Sequence, residues 1–161
     1  MSIEISTHFL NQIHIYRESA YPEEACGLLL GNNLKDRKLV TDVLKVTNIR
    51  EEGTRHNRYM LAPQEYLMGE LLAEKRGLEV IGVFHSHPDH DACPSEIDLE
   101  FAIPGFVYLI TGFVKNHVPE GKQTTQINNA AGKQTTSAMR AWRLAENHRY
   151  FIEEQIYENC E

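Results

Sequence analysis

The sequence predicts an α/β domain: a mixed sheet with helices packed on its faces. Three observations carry this. Two stretches show the apolar spacing of a helix, several short apolar or β-branched runs are bounded by turn residues, and the two kinds are interleaved along 161 residues. That length suits one domain, residues 1–161, with a core that needs no disulfide or metal staple.

Ser6 or Thr7 caps a first helix running to about Ser19, with Phe9, Leu10, Ile13 and Tyr16 on one face. "YPEE" interrupts it, and "ACGLLLG" reads as a short buried strand ending at Gly31. After the turn material "NNLKDR", "KLVTDVLKVTNI" is β-branched and partly alternating, hence a second strand. Residues 50–58 form a charged connection into a short strand at Tyr59–Leu61. Pro63 opens the clearest helix, with Gly77 at its C-terminal end and an apolar stripe of Leu67, Met68, Leu71 and Leu72. "LEVIGVFHSH" is a buried-type strand, "SEIDLEFA" a short helix stopped before "IPG", and "FVYLITGFV" another strand. Residues 115–137, with "GKQTT" repeated at Gly121 and Gly132, are expected to be a long mobile loop. "SAMRAWRL" and "RYFIEEQIY" close the chain as a hairpin.

A formal charge of −7 argues against a nucleic-acid surface, which needs a concentrated basic face. No apolar run approaches the ~18 residues of a membrane span, and residues 1–10 lack the pattern of a secretory leader. Cys26, Cys93 and Cys160 are odd in number and widely spaced. They read as free thiols of a reducing compartment, so a cytoplasmic protein is expected.

The strand at 78–87 runs into "HSHPDHDACPSEID". His85 and His87 lie two apart at a strand end, so both imidazoles take the same face and Ser86 the other. Ser95 and Asp98, three apart at the start of the short helix, share one side of it and can face the histidine pair. Two histidines and a carboxylate leave the fourth position of a tetrahedral zinc open, which is how catalytic zinc is held. Blander readings stand beside this one. "SEID" is by itself an ordinary capping box, and a His-x-His pair at a strand end is by itself compatible with plain solvation. Asp89, His90, Asp91 and Cys93 are alternative ligands on a loop that does nothing to fix their direction. Glu96 follows Ser95 and points elsewhere, and Glu100 lies further along the helix, so a general base must come from another part of the chain.

This stretch resembles the signature of the JAMM, or MPN-plus, metalloproteases: His-x-His-Pro followed by Ser-x-x-Asp, with a distant glutamate two residues after a proline and just before a short apolar strand. "YPEEACGLLLG" matches the distant part and assigns it to Glu24, with Glu23 as runner-up. The likeness extends through "GVFHSHPDHDACPSEIDLEFAIPGFVYLI" to the C-terminal hairpin, and is that of the small, single-domain prokaryotic branch. It implies a three-layer α-β-α fold related to the cytidine deaminases. It implies Zn2+ held by His85, His87 and Asp98, with Glu24 as the general base and Ser95 as a donor to the oxyanion.

The reaction so implied is hydrolysis of a peptide or isopeptide bond at the Gly-Gly tail of a ubiquitin-like sulfur-carrier protein. Two versions follow, release of an amino acid such as cysteine from the carrier, or trimming of the tail or release of a carrier attached to a protein lysine; the small size of the chain favours the first. The rival from another class is a metal-bearing scaffold without activity. Cys26 is expected to be a small buried hydrophobe and not a nucleophile. A deaminase on the related fold needs a Pro-Cys-x-x-Cys pair, and "ACPSEID" has none.

Overall fold

The computed structural model describes residues 1–49, 59–114, 124–128 and 134–159. The elements run β1 (Ser2–Ser6), α1 (Thr7–Ala20), β2 (Cys26–Asn33), β3 (Arg37–Val46), α2 (Pro63–Lys75), β4 (Glu79–Ser86), α3 (Glu96–Glu100), β5 (Val107–Val114), β6 (Thr124–Asn128), β7 (Gln134–Leu144) and β8 (Phe151–Asn159). Strand β1 was not foreseen, although its Ile3 and Ile5 alternate into the core with no exposure. Ser6 then caps α1, its hydroxyl accepting from the Phe9 amide at 3.4 Å, as the sequence implies.

The strands form one eight-stranded mixed sheet in the order β5-β4-β2-β3-β1-β8-β7-β6. An additional antiparallel pairing of β5 with β7, from Val107↔Arg143 to Val114↔Thr136, joins one end of the sheet to the strand next to its other end. Where a three-layer α-β-α arrangement is expected, the sheet curls round and closes on itself, so that the edge of β5, which would otherwise present unpaired amides, is paired. Helices α1 and α2 serve opposite faces of the strands. One core takes Leu29, Ile81 and Leu109 together with Leu10 and Ile13 of α1. The other takes Leu28, Leu30, Val80, Val83 and Ile110 together with Ala73 of α2. In β2 and β5 the two clusters draw on alternate residues, and in β4 a register irregularity opposite Leu29–Leu30 puts Val80 and Val83 on one face and Ile81 on the other.

Three expectations change. First, the apolar stripe of α2 does not face the core: Leu67, Met68 and Leu71 are 59%, 63% and 44% exposed, and only Leu72 of the four packs inward. The buried residues of α2 are Gly69 and Ala73, and a Cβ on Gly69 would stand 2.2 Å from Leu28 Cδ1. The helix thus rests on its small residues, close against β2, and turns the larger ones outward. Second, Tyr59–Leu61 is irregular chain, pinned by Ile49 N–H donating to the Met60 carbonyl (3.2 Å) and by the Met60 amide donating to Asn48 Oδ1 (3.2 Å). Third, part of 115–137 is paired strand: β6 runs antiparallel to β7 from Thr124↔Ala138 to Asn128↔Gln134, which brings the two Thr-Thr steps into one ladder. The rest of that stretch, like Cys160, lies outside the described residues.

Candidate metal centre

Strand β4 sits between β2 and β5, and its last residues carry the histidines. The register pairs Cys26 with His85, and it is continued past the end of β2 by a reciprocal clamp. Ser86 N–H donates to the Ala25 carbonyl at 2.9 Å, and the Ala25 amide donates to Ser86 Oγ at 2.8 Å. One residue further back along this register, Glu24 stands opposite His87, on the same face as the two imidazoles. Ser86 points the other way, as strand alternation requires, and its work is to lock Glu24 to the strand that bears the histidines.

His85, His87 and Asp98 are all buried, and their ligand atoms lie within 4.8 Å of one another. His85 Nε2 is 3.1 Å from His87 Nε2 and 3.3 Å from Asp98 Oδ1; His87 Nε2 is 3.8 Å from Asp98 Oδ2. The edge of a tetrahedron with metal–ligand bonds of 2.0–2.1 Å is about 3.3 Å. The separations, 3.1–3.8 Å, bracket that edge, so the two imidazole nitrogens and the Asp98 carboxylate suit a tetrahedral ion, with nitrogen and oxygen donors of the kind zinc accepts. Among the described residues this is the one such cluster of histidine, cysteine and carboxylate groups. The alternatives do not join it. Asp89, His90 and Asp91 are exposed, and Asp91 contributes its backbone carbonyl instead, 2.7 Å from His87 Nδ1. That bond puts the ring proton on Nδ1 and leaves the Nε2 lone pair free to bind a metal.

The loop bearing Asp91 is fastened from two sides. The indole of Trp142 donates to the Ala92 carbonyl at 2.9 Å. Strand β5 passes beneath at Gly112, where a Cβ would come within 2.5 Å of the Asp91 backbone and 2.6 Å of His90 and Ala92 backbone atoms. Helix α3 is held by the capping box that "SEID" predicts: Asp98 N–H donates to Ser95 Oγ (3.1 Å), and Ser95 N–H donates to Asp98 Oδ2 (2.7 Å). Ser95 Oγ also donates to Asp98 Oδ2 at 2.7 Å. The bland reading of this motif and the functional one are thus satisfied by the same atoms, because the carboxylate that closes the box offers its other oxygen to His85.

Burial shapes the protonation states. It pushes His87 down to about 4, helped by the charge of His85, so His87 is a neutral imidazole at neutral pH. Burial alone would raise Asp98, but His85 and the hydroxyl and amide of Ser95 hold it well below the usual carboxylate range. Glu24, 5% exposed, is pushed by burial up to about 7, with His85 lowering it and Asp98 raising it. Cys26 is pushed up to about 12 by burial, and its thiol donates weakly to the Val46 carbonyl at 3.8 Å; it is an inert core residue. Cys93 lies half-buried beside Arg140, whose Nη1 donates to Sγ at 2.7 Å.

Glu24, His87, Ser95 and Asp98 line one cavity of about 620 Å3 whose wall is largely apolar, with Met60, Leu61, Ile97, Phe101 and Ile103 among its residues. Glu23 does not line it. Tyr59, which sequence reasoning left in a spacer strand, is also there, its ring stacked on His85 with centroids 4.5 Å apart. Burial, then Asp98, holds its phenol well above the usual value, so it is protonated. No sequence signal marked it beyond an aromatic after a charged connection.

Residues 6–127 match the model of the prokaryotic homologs of the JAB domain, and the chain belongs to that family. A desampylase of Haloferax volcanii is 36% identical over 64% of this chain and 68% of its own length. A desampylase of Pyrococcus furiosus is 35% identical over 60% of this chain, which spans 63% of that relative. A probable TtuB-protein conjugate cleaving protease of Thermus thermophilus is 27% identical over 71% and 73% of the two chains. Among solved structures, a Salinibacter ruber protein at 36% identity superposes with a TM-score of 0.66 over 97% of this chain and 91% of its own. A JAB1/MPN domain protein from Archaeoglobus fulgidus, 18% identical, shares the fold at a TM-score of 0.52 over 97% and 98%.

Proposed function

We propose that this protein is a zinc-dependent JAMM-type hydrolase acting at the C-terminal tail of a ubiquitin-like sulfur-carrier protein, and that residues 1–161 work as one such domain. The observation that carries the reading is Glu24: a buried carboxyl brought to about 7, opposite a histidine pair and a carboxylate with tetrahedral spacing. His85, His87 and Asp98 would hold the metal. Zinc, when bound, supplies a Lewis acid and a nucleophile available at neutral pH.

Glu24 takes the proton of the attacking water and returns it to the departing amine, a shuttle for which a pKa near the working pH is best suited. Ser95 turns its hydroxyl from Asp98 Oδ2 to the oxyanion. Asp98 stays in place while this happens, because the Ser95 amide still donates to the same oxygen. The apolar wall beside the site suits an extended, uncharged tail ending in glycines, whose backbone reaches a buried metal without side chains in the way.

The relatives' names bear on the leaving group. A conjugate-cleaving protease and two desampylases favour a carrier joined to a protein over a carrier bearing a single amino acid, reversing the preference drawn from size. Cys26 and Cys93, which have no disulfide partner among the described residues, fit a reducing cytoplasm. The test is intact-mass analysis of two substrates, a Gly-Gly-tailed carrier joined to a protein lysine and the same carrier with a C-terminal cysteine. Each is incubated with parent, chelated and Glu24→Gln enzyme. Metal- and Glu24-dependent release of the free carrier is expected; both substrates intact after prolonged incubation with zinc-loaded parent would leave a scaffold as the better reading.

A further inference from the structure

The two histidines of the centre are not held alike. His87 is fixed by its Nδ1 contact with the Asp91 carbonyl at 2.7 Å. His85, fully buried, has an Nδ1 with no hydrogen-bond partner among the described residues. A metal-bound histidine is ordinarily oriented by a hydrogen bond at its second nitrogen. Its ring torsion is otherwise broad, so Nε2 can swing away from the ion.

What lies against His85 instead is the face of Tyr59, with centroids 4.5 Å apart and planes inclined by 25°. At that spacing, rotation of the imidazole drives its edge into the phenol ring. The arm carrying Tyr59 is tied to the rest of the site. Asn48 Oδ1 accepts from the Met60 amide at 3.2 Å, and Asn48 Nδ2 donates to the carbonyl of Glu24 at 3.3 Å.

We propose that Tyr59 is the positioning residue of His85: its stacked ring sets the direction of Nε2, in place of the hydrogen bond that sets His87, and Asn48 holds that ring in register with Glu24. This rests on the reading of His85 as a metal ligand. The role needs the aromatic face and not the hydroxyl, so it separates Tyr59→Phe from Tyr59→Leu.

Zinc affinity is measured by competition with a chromophoric chelator for the parent, Tyr59→Phe, Tyr59→Leu and Asn48→Ala, with kcat and KM on a carrier conjugate alongside. Tyr59→Leu and Asn48→Ala are expected to bind zinc about tenfold more weakly and to lose kcat with little change in KM, while Tyr59→Phe stays within about twofold of the parent. Asn48→Ala, which keeps the core aromatic, decides the matter should Tyr59→Leu fail to fold. Parent-like zinc affinity in Tyr59→Leu, or in Asn48→Ala where that variant decides, overturns the inference alone; so does a Tyr59→Phe as damaged as Tyr59→Leu. A parent that takes up no zinc overturns the metal-site reading, and this inference with it.

Discussion

Replacing Glu24 by glutamine should make the metal-free protein more stable while removing its activity. In the fold Glu24 is carried by burial from 4.5 to about 7, which favours its protonated form. Below pH 4.5 the carboxyl is protonated whether the chain is folded or not, and nothing is lost. Between 4.5 and about 7 the unfolded chain gives up its proton first, so the stability owed to this group falls as pH rises; above 7 it is lost in full. At about 1.4 kcal/mol for each tenfold change in the proton equilibrium, the full cost is about 3 kcal/mol, most of which falls between pH 5 and pH 8. Glutamine has the shape of the acid and no charge to bury. Urea unfolding of chelated parent and Glu24→Gln at both pH values should therefore show the variant's advantage growing by about 2–3 kcal/mol from pH 5 to pH 8. A bound cation would offset the buried charge, so zinc should shrink this advantage. The same substitution should lower kcat by a hundredfold or more. An advantage that stays flat from pH 5 to pH 8 would refute the argument from burial, and a fully active variant the role as base.

Removing a ligand, as in His87→Ala or Asp98→Asn, should abolish turnover and zinc retention together, and a chelator should do the same to the parent reversibly; zinc analysis beside the activity assay checks this. Ser95→Ala removes both a helix cap and the proposed oxyanion donor, so a loss of about 1 kcal/mol in stability and about a hundredfold in kcat is expected. Ser95→Thr keeps the capping hydroxyl and should recover the stability, which a melting curve would report. Gly112→Ala forces a Cβ to within 2.5–2.6 Å of backbone atoms of His90, Asp91 and Ala92. It should push the loop off His87 and weaken zinc binding about tenfold, and an unchanged affinity would mean that the Asp91 carbonyl is not what holds His87.

Much of the centre was legible in the chain because its geometry is local. Strand alternation sends His85 and His87 to one face, a turn of helix brings Ser95 beside Asp98, and both hold whatever surrounds them. Helix α1, the strands on either side of the site and the closing β7–β8 pair follow from apolar periodicity for the same reason. Glu24 was reachable only through the resemblance, since nothing local places residue 24 opposite residue 87; the antiparallel register of β2 on β4, locked by Ser86, does that.

Spacings within single elements thus carried the class of the domain and brought His85, His87 and Asp98 forward as a candidate donor set. The rest was set by how the elements pack against one another. The outward turn of Leu67, Met68 and Leu71 depends on how closely Gly69 and Ala73 let α2 approach the sheet. The closure of the sheet depends on β5 finding β7. The stacking of Tyr59 on His85 joins an irregular segment to a strand that follows it across an intervening helix. These are contacts between segments distant in the chain, and no periodicity within either segment encodes them.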